Sequence, residues 1–170
     1  MRKYIRAGNI TWAGLDLSEV KEMNFTAAEL ETYRLVPGDI LLNEASGSAS
    51  EVGKAVRFHG QIEDCGFQNH VYRVRVYDAD PDYIHEFLRF NAESGAYLEK
   101  SHGLGIRTLG KAKLTSWPVP LPARDVQVSV VSAIRKRRST TESVVRSIET
   151  VRVQAGLLRR SLLHAALPAS

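Results

Sequence analysis

The most regular pattern of apolar and polar positions lies in the last third of the chain. From about residue 124 to residue 166 there is no proline and a single glycine, Gly156. Eleven positions in this stretch alternate at spacings of four and three residues, and nine of the eleven are apolar. Such a heptad pattern predicts one long coiled-coil helix with an apolar seam along one side. The seam positions for which we predict helix pairing are Val130, Ile134, Val144, Ile148, Val151, Leu158 and Leu162.

The length of this helix bears on how its seam is buried. At about 1.5 Å per residue the helix would extend roughly 60 Å, which is longer than a small domain is wide. We therefore expect a partner helix, with the polar residues Arg137 and Thr141 interrupting the seam and setting its register. The alternative is a long amphipathic helix that packs on its own protein.

Residues 1–122 contain short apolar groups separated by polar turns. Thr26 and Glu29 have the spacing of a capping box, which predicts a short helix to about residue 33. Asp80 and Pro81 predict the start of a second helix, because Asp caps well and proline suits the first helical position. Five runs have the composition of strands: residues 4–7, 10–12, 40–42, 52–58 and 67–77.

Two further segments complete this pattern. A short helix is predicted over residues 96–100. Residues 117–122 must be extended, because every second residue there is a proline. We place a domain boundary in this proline segment, which gives one domain over residues 1–122 and a helical appendage over residues 123–170.

The net charge of +4 is distributed unevenly along the chain. Residues 1–122 carry 14 Lys and Arg against 16 Asp and Glu, a net charge of −2. Residues 123–170 carry 9 against 3, a net charge of +6. A basic segment favours nucleic acid or another polyanion as a partner. Residues 1–122 would have to bind DNA through local loops rather than through their overall charge.

The densest positive charge is the run at residues 135–138 of the predicted helix. We predict that Arg135, Lys136 and Arg138 contact phosphate groups or a partner. The alternative is a solvated helix face or a contact with an acidic protein.

Composition and motifs disfavour several classes of function. The single cysteine, Cys65, excludes an internal disulfide and a multi-cysteine zinc site, and a reducing cytoplasm is expected. No apolar run approaches the roughly 18–20 residues of a membrane span, so we expect neither membrane insertion nor export. Phosphate-binding loops, nucleophile elbows and paired metal-binding histidines are missing from the sequence. We expect a non-catalytic chain without a metal or cofactor of its own.

Polar side chains that suit base edges occur in the predicted loops. Asn and Gln suit adenine, and Arg suits guanine. For each of them, turn capping or surface hydration is the alternative role. The predicted DNA-contacting residues are Asn43, Ser48, Gln68, Asn69, His70, His102, Arg107 and Lys111.

The order of several short stretches resembles the specificity subunits of type I restriction–modification enzymes. Gly38-Asp39-Ile40-Leu41-Leu42 is the most distinctive of them, and the resemblance covers nearly the whole chain. Gln127 stands where the family begins its conserved helix, and residues 158–166 resemble the end of that helix. The other matching stretches are Tyr4-Ile5-Arg6, Gly8-Asn9-Ile10, Tyr33-Arg34-Leu35, Val52-Gly53-Lys54-Ala55, Gln68-Asn69-His70 and Pro118-Val119-Pro120-Leu121-Pro122.

The resemblance implies an α+β fold, with a mixed-sheet target-recognition domain followed by one long coiled-coil helix. Family members usually carry two such units, whose helices pair antiparallel and separate two half-sites, so this chain resembles a half-subunit. The implied partners are double-stranded DNA, a methyltransferase subunit, a motor-nuclease subunit reached through the complex, and a second copy or another specificity subunit at the helix. S-adenosylmethionine, ATP and Mg would belong to the partner subunits.

Two departures from the family pattern bear on function. The family usually has several dozen residues ahead of the stretch that matches residues 4–10, so we expect an N-terminally truncated recognition domain. Residues 122–127 also replace the family's proline-proline and Glu-Gln pattern. The rival hypothesis is a degenerate assembly fragment that pairs through its helix without reading DNA. A small nuclease is a third possibility, and it lacks catalytic residues.

Overall fold

The chain divides into two compact units, Met1–Val128 and Ser129–Ser170. The computed structural model describes residues 1–46, 48, 51–98 and 107–166, with the backbone only for Ser46, Arg107 and residues 161–166. Whereas we placed the boundary after residue 122, the division between the two units falls within the C-terminal helix.

The N-terminal strands form a small mixed sheet. Strand β1 (Arg2–Ile5) is central, antiparallel to β4 (Lys21–Met23) and parallel to β8 (Gly66–Phe67). Ile5 at the end of β1 is fully buried and belongs to the main apolar cluster together with Phe67. This sheet therefore packs into the core through one end.

A hairpin follows β1 and is held by one buried side chain. After a 3₁₀ turn (Ala7–Asn9), β2 (Ile10–Thr11) pairs antiparallel with β3 (Gly14–Leu15). The side-chain amide of Asn9 donates to the carbonyl oxygens of Asp16 and Glu19, both at 2.9 Å. Asn9 therefore ties the start of the hairpin to the chain that leaves it.

A second three-stranded sheet carries the centre of the core. Strand β5 (Ile40–Asn43) lies between β7 (Ala55–Arg57) and β9 (Val71–Val74) and is antiparallel to both. Residues 40–42 are fully buried, as their apolar run predicts. A two-stranded ladder continues beyond β5, where β6 (Ala45–Ser46) pairs antiparallel with β10 (Arg107–Thr108).

Two helices begin at the residues that the sequence predicts. Helix α1 (Ala27–Tyr33) has a capping box, in which the Thr26 hydroxyl accepts from Glu29 N at 3.2 Å. The Glu29 carboxylate in turn accepts from Thr26 N at 2.8 Å. Helix α2 (Pro81–Glu93) has Asp80 as its cap, whose carboxylate accepts two main-chain N–H groups of the first turn at 2.8 and 3.3 Å. Both helix starts are confirmed.

The chain between α2 and the proline segment differs from the prediction. Residues 96–98 form turns instead of a helix, and residues 99 and 100 lie outside the described residues. The tertiary contacts of Tyr97 account for the difference. Its ring is buried edge-on against Trp117 at 4.9 Å, and its hydroxyl donates to Leu88 O at 3.2 Å. A short helix, α3 (Lys111–Thr115), was not predicted.

The predicted long helix is confirmed as α4 (Arg124–Ala166), 43 residues without interruption. Its first turn is anchored by Gln127, which is buried. The Gln127 amide donates to Pro122 O and accepts from Asp80 N, both at 2.8 Å. These bonds explain why the first turn belongs to the first unit. The α+β class, with small sheets and one long C-terminal helix, is likewise confirmed.

A buried ion pair supports the turn that leads into β5. The Asp39 carboxylate is fully buried and accepts from Nε and Nη2 of Arg75 at 2.7 and 2.8 Å. It also accepts from Val36 N at 2.8 Å. Gly38 has a φ of +102°, a conformation that side chains with a Cβ rarely adopt. Gly38 and Asp39 therefore serve the fold of the most distinctive stretch in the sequence.

Candidate nucleic-acid interface

One end of the β7–β5–β9 sheet brings together most of the predicted DNA-contacting residues. Asn43, the last residue of β5, is paired in register with Val71, the first residue of β9. Glu44 N donates to His70 O at 3.1 Å, and Arg107 in β10 lies opposite Ser46 in β6. Segments far apart in sequence thus meet at one end of this sheet, which we call the loop end.

Glu44 organises the loop end, although sequence reasoning did not identify it. Its carboxylate lies 2.8 Å from the Tyr72 hydroxyl and 3.1 Å from Nδ1 of His70. The same hydroxyl lies 2.9 Å from Leu109 O, and Leu109 N donates to Glu44 O at 2.7 Å. One acidic residue therefore joins β9, the turn before it and the chain after β10.

Tyr72 remains a neutral hydrogen-bond donor in this arrangement. Burial raises the pKa of Tyr72 to about 12, and its hydrogen bond and charge interaction with Glu44 act in the same direction. The Tyr72 hydroxyl consequently keeps its proton across the physiological pH range. A polar group held in this way is suited to fixing loop geometry rather than to proton transfer.

The turn that precedes β9 presents two polar side chains to solvent. Val71 N donates to Gln68 O at 3.0 Å, which closes a turn over residues 68–71. Gln68 N also donates to Ile5 O at 3.0 Å, so the turn is anchored to β1. Asn69 and His70 are exposed at the tip, whereas Gln68 is half-buried. A rigid base with exposed polar tips is a geometry that suits contact with base edges.

The remaining predicted contacts occupy different environments. Asn43 is buried, and its Oδ1 has no hydrogen-bond partner among the described residues, so contact with a base would require local opening. Ser48 is exposed, and Lys111 is exposed at the start of α3. His102 lies outside the described residues, as does the side chain of Arg107.

The second unit presents exposed cations and exposed seam residues. Arg135 and Lys136 are exposed on α4, and Arg138 is half-buried. Ile148 and Leu158 are 61% and 62% exposed, which is unusual for large apolar side chains. Val130, Val144 and Val151 are also exposed, Ile134 is half-buried, and the side chain of Leu162 lies outside the described residues.

A metal-binding cluster and a membrane-spanning helix are both absent from the part of the chain that the structure describes. No three His, Cys, Asp or Glu side chains in that part of the chain are placed to hold a metal ion. None of the described helices is both long and apolar enough to cross a membrane. In comparisons with known proteins, no family model and no curated protein matches the chain.

Proposed function

We propose that this chain is the DNA-recognition subunit, or half-subunit, of a type I restriction–modification enzyme. In this role it selects one half of a split DNA target. A partner methyltransferase then modifies adenine, and a motor-nuclease subunit cuts unmodified DNA. The chain itself neither methylates nor cuts.

The observation that supports this proposal is the convergence at the loop end. Residues chosen from sequence for their ability to contact bases come from positions 43–48, 68–70 and 107–111, which are widely separated in the chain. The fold brings these segments together at one end of the β7–β5–β9 sheet, where the separate β6–β10 ladder lies beyond β5. Loops collected at one end of a rigid sheet are a common way of building a recognition surface.

The charges at the loop end favour specific contacts with bases over non-specific electrostatic attraction to DNA. Its central charged group, Glu44, is acidic and engaged with Tyr72 and His70. Lys111 contributes positive charge nearby, but residues 1–122 are net acidic. Because phosphate contacts supply most non-specific affinity, we expect weak binding by the chain alone and tighter binding in the assembled complex.

The experiment compares two matched variants in the complex with the methyltransferase subunit. Asn69→Ala removes an exposed amide at the loop end, and Asn24→Ala removes an exposed amide beside β4. Binding to a pool of DNA sequences is read by selection and sequencing. We expect Asn69→Ala to relax discrimination at one base pair by about 1–3 kcal/mol, and Asn24→Ala to have no effect. Equal affinity of the wild-type complex for all sequences would refute the proposal.

The rival function is an assembly fragment whose helix pairs with another specificity subunit. The exposed seam residues of α4 favour it equally, since they require a partner in either case. The DNA selection separates the two functions, because the assembly fragment would bind its partner without imposing any sequence preference.

A further inference from the structure

Among the described residues no strand pairs with the outer edge of β9, and a groove lies along that edge. The groove has a volume of about 640 Å³ and is lined by all four residues of the strand, Val71 to Val74. In a strand, successive side chains point to opposite faces of the sheet. Because residues from both faces line one cavity, the cavity must reach around the edge of the strand. We call it the β9 groove.

The main-chain pattern shows which groups face the groove. The main-chain N–H of Glu44 donates to His70 O across the β5–β9 pair. Because hydrogen-bonded positions alternate along an antiparallel strand, the even-numbered residues of β9 direct their N–H and C=O groups toward β5. Arg73, which lies opposite Leu41, therefore directs its N–H and C=O groups away from β5. Val71 directs its carbonyl the same way. These are the groups that an added strand would pair with.

The two walls of the β9 groove are apolar. Tyr33 and Phe67 form one wall and pack edge-on at 5.3 Å between ring centres. Leu88, Leu114 and Trp117 line the other. Each wall is suited to the side chains on one face of an extended peptide, which alternate between the two sides.

Charge and shape decide what occupies the groove. A second copy paired edge to edge would bring two Arg73 side chains together and would have to reach a strand recessed between walls. A single extended peptide avoids both problems. Arg73 and Lys111 line the groove, whereas its carboxylate, Glu44, is already engaged with Tyr72 and His70. Arg73 and Lys111 outnumber Glu44 among the charged residues of the lining, so the net charge of the groove is positive and suits an acidic flank.

We propose that the β9 groove binds an extended peptide segment of a partner protein, which adds a fourth strand beside β9. The segment has three or so consecutive apolar residues and a flanking Asp or Glu. This inference goes beyond DNA recognition, because the groove extends from Asn69 of the 68–71 turn along the whole of β9 and its lining is largely apolar.

The first test uses labelled peptides on the whole chain, read by fluorescence anisotropy. The probes are the heptapeptide Glu-Thr-Val-Ile-Val-Thr-Glu and the best binders from a random heptapeptide phage library, with Leu114→Asp protein used for counter-selection. Each binder is then N-methylated either at its odd or at its even residues. Strand pairing uses only alternate amides, so one methylated form should lose binding and the other should keep it.

The second test uses two matched pairs of variants. Arg73→Pro and Arg73→Thr both lose the side chain, but only the proline loses the outward N–H. Proline is tolerated on an open edge, and we expect about tenfold weaker peptide binding for Arg73→Pro than for Arg73→Thr. Leu114→Asp places a charge in the wall, whereas Ser116→Asp places one on an exposed residue just after α3. Only the former should abolish binding.

Three outcomes would overturn the proposal. One is a library that yields no peptide preferring the wild-type chain over Leu114→Asp. Another is equal binding by both methylated forms of a peptide, which would mean that side chains bind without strand pairing. The last is a dimer in sedimentation that Arg73→Pro dissociates, which would assign the edge to a second copy.

Discussion

Replacing Asp39 by alanine tests whether the turn before β5 depends on its buried ion pair. The carboxylate accepts two hydrogen bonds from Arg75 and one from Val36 N, all between 2.7 and 2.8 Å. Removing one partner of a buried ion pair typically costs about 3–5 kcal/mol. The Arg75 side chain is 32% exposed and regains water when its partner is lost. We therefore expect a loss near the lower end, about 3 kcal/mol.

Such a loss is a large share of the roughly 5–15 kcal/mol that stabilises an ordinary domain. The assay is urea unfolding followed by far-UV circular dichroism, with an unchanged slope required for comparison. Asp78→Ala is the control, because Asp78 is exposed, and we expect it to stay within about 0.5 kcal/mol of wild type. A loss below about 1 kcal/mol for Asp39→Ala would show that the ion pair does not support this turn.

Three further predictions concern the helices. Replacing Ile148 and Leu158 by Asp should abolish self-association, or binding to the methyltransferase subunit, without changing the near-UV spectrum of the first unit. Ser147→Asp is the control. A wild-type chain that binds neither a second copy nor the methyltransferase subunit in ultracentrifugation would contradict the predicted seam. His85 lies 3.1 Å from Ala55 O, and burial lowers its pKa. In the unfolded chain His85 has its ordinary pKa of about 6.5, so it takes up a proton at a higher pH than in the folded chain. The free energy of unfolding should therefore fall as the pH drops below about 6.5. His85→Gln should flatten that decline in urea titrations, and an unchanged pH profile would count against this assignment. Thr26→Ala should cost about 1 kcal/mol, since it removes the cap of α1, and Thr32→Ala should cost less.

The sequence predicted the elements whose signals are local. Thr26 and Glu29 interact within one turn, and Asp80 bonds to the N–H groups that follow it. Residues 40–42 are apolar without interruption and are buried on both faces of their sheet. In α4 the absence of proline over 43 residues leaves helix as the only regular structure that fits the spacing.

The elements that were missed depend on contacts between distant segments. Strand β6 is only two residues long and exists through its pairing with β10, about 60 positions later. Tyr97 lies in a turn instead of the predicted helix because its ring packs on Trp117, a contact that no local sequence pattern indicates. Glu44 was overlooked for the same reason, since its partners Tyr72 and His70 are supplied by the β5–β9 register. The one sequence signal for Tyr72 was the strand-like pattern of residues 71–76, in which successive side chains alternate between two faces.

Gly53 belongs to the buried residues that maintain the fold, in contrast to the exposed residues of the loops. It has a φ of +76°, and a Cβ there would lie 2.5 Å from the ring of Tyr97, so no larger residue fits. Gly53 and Asp39 are both buried in the interior, while Asn69 and His70 project outside. The tip of the 68–71 turn can therefore accept new residues without repacking the core. Under the function proposed above, grafting that turn is a direct route to domains with altered DNA targets.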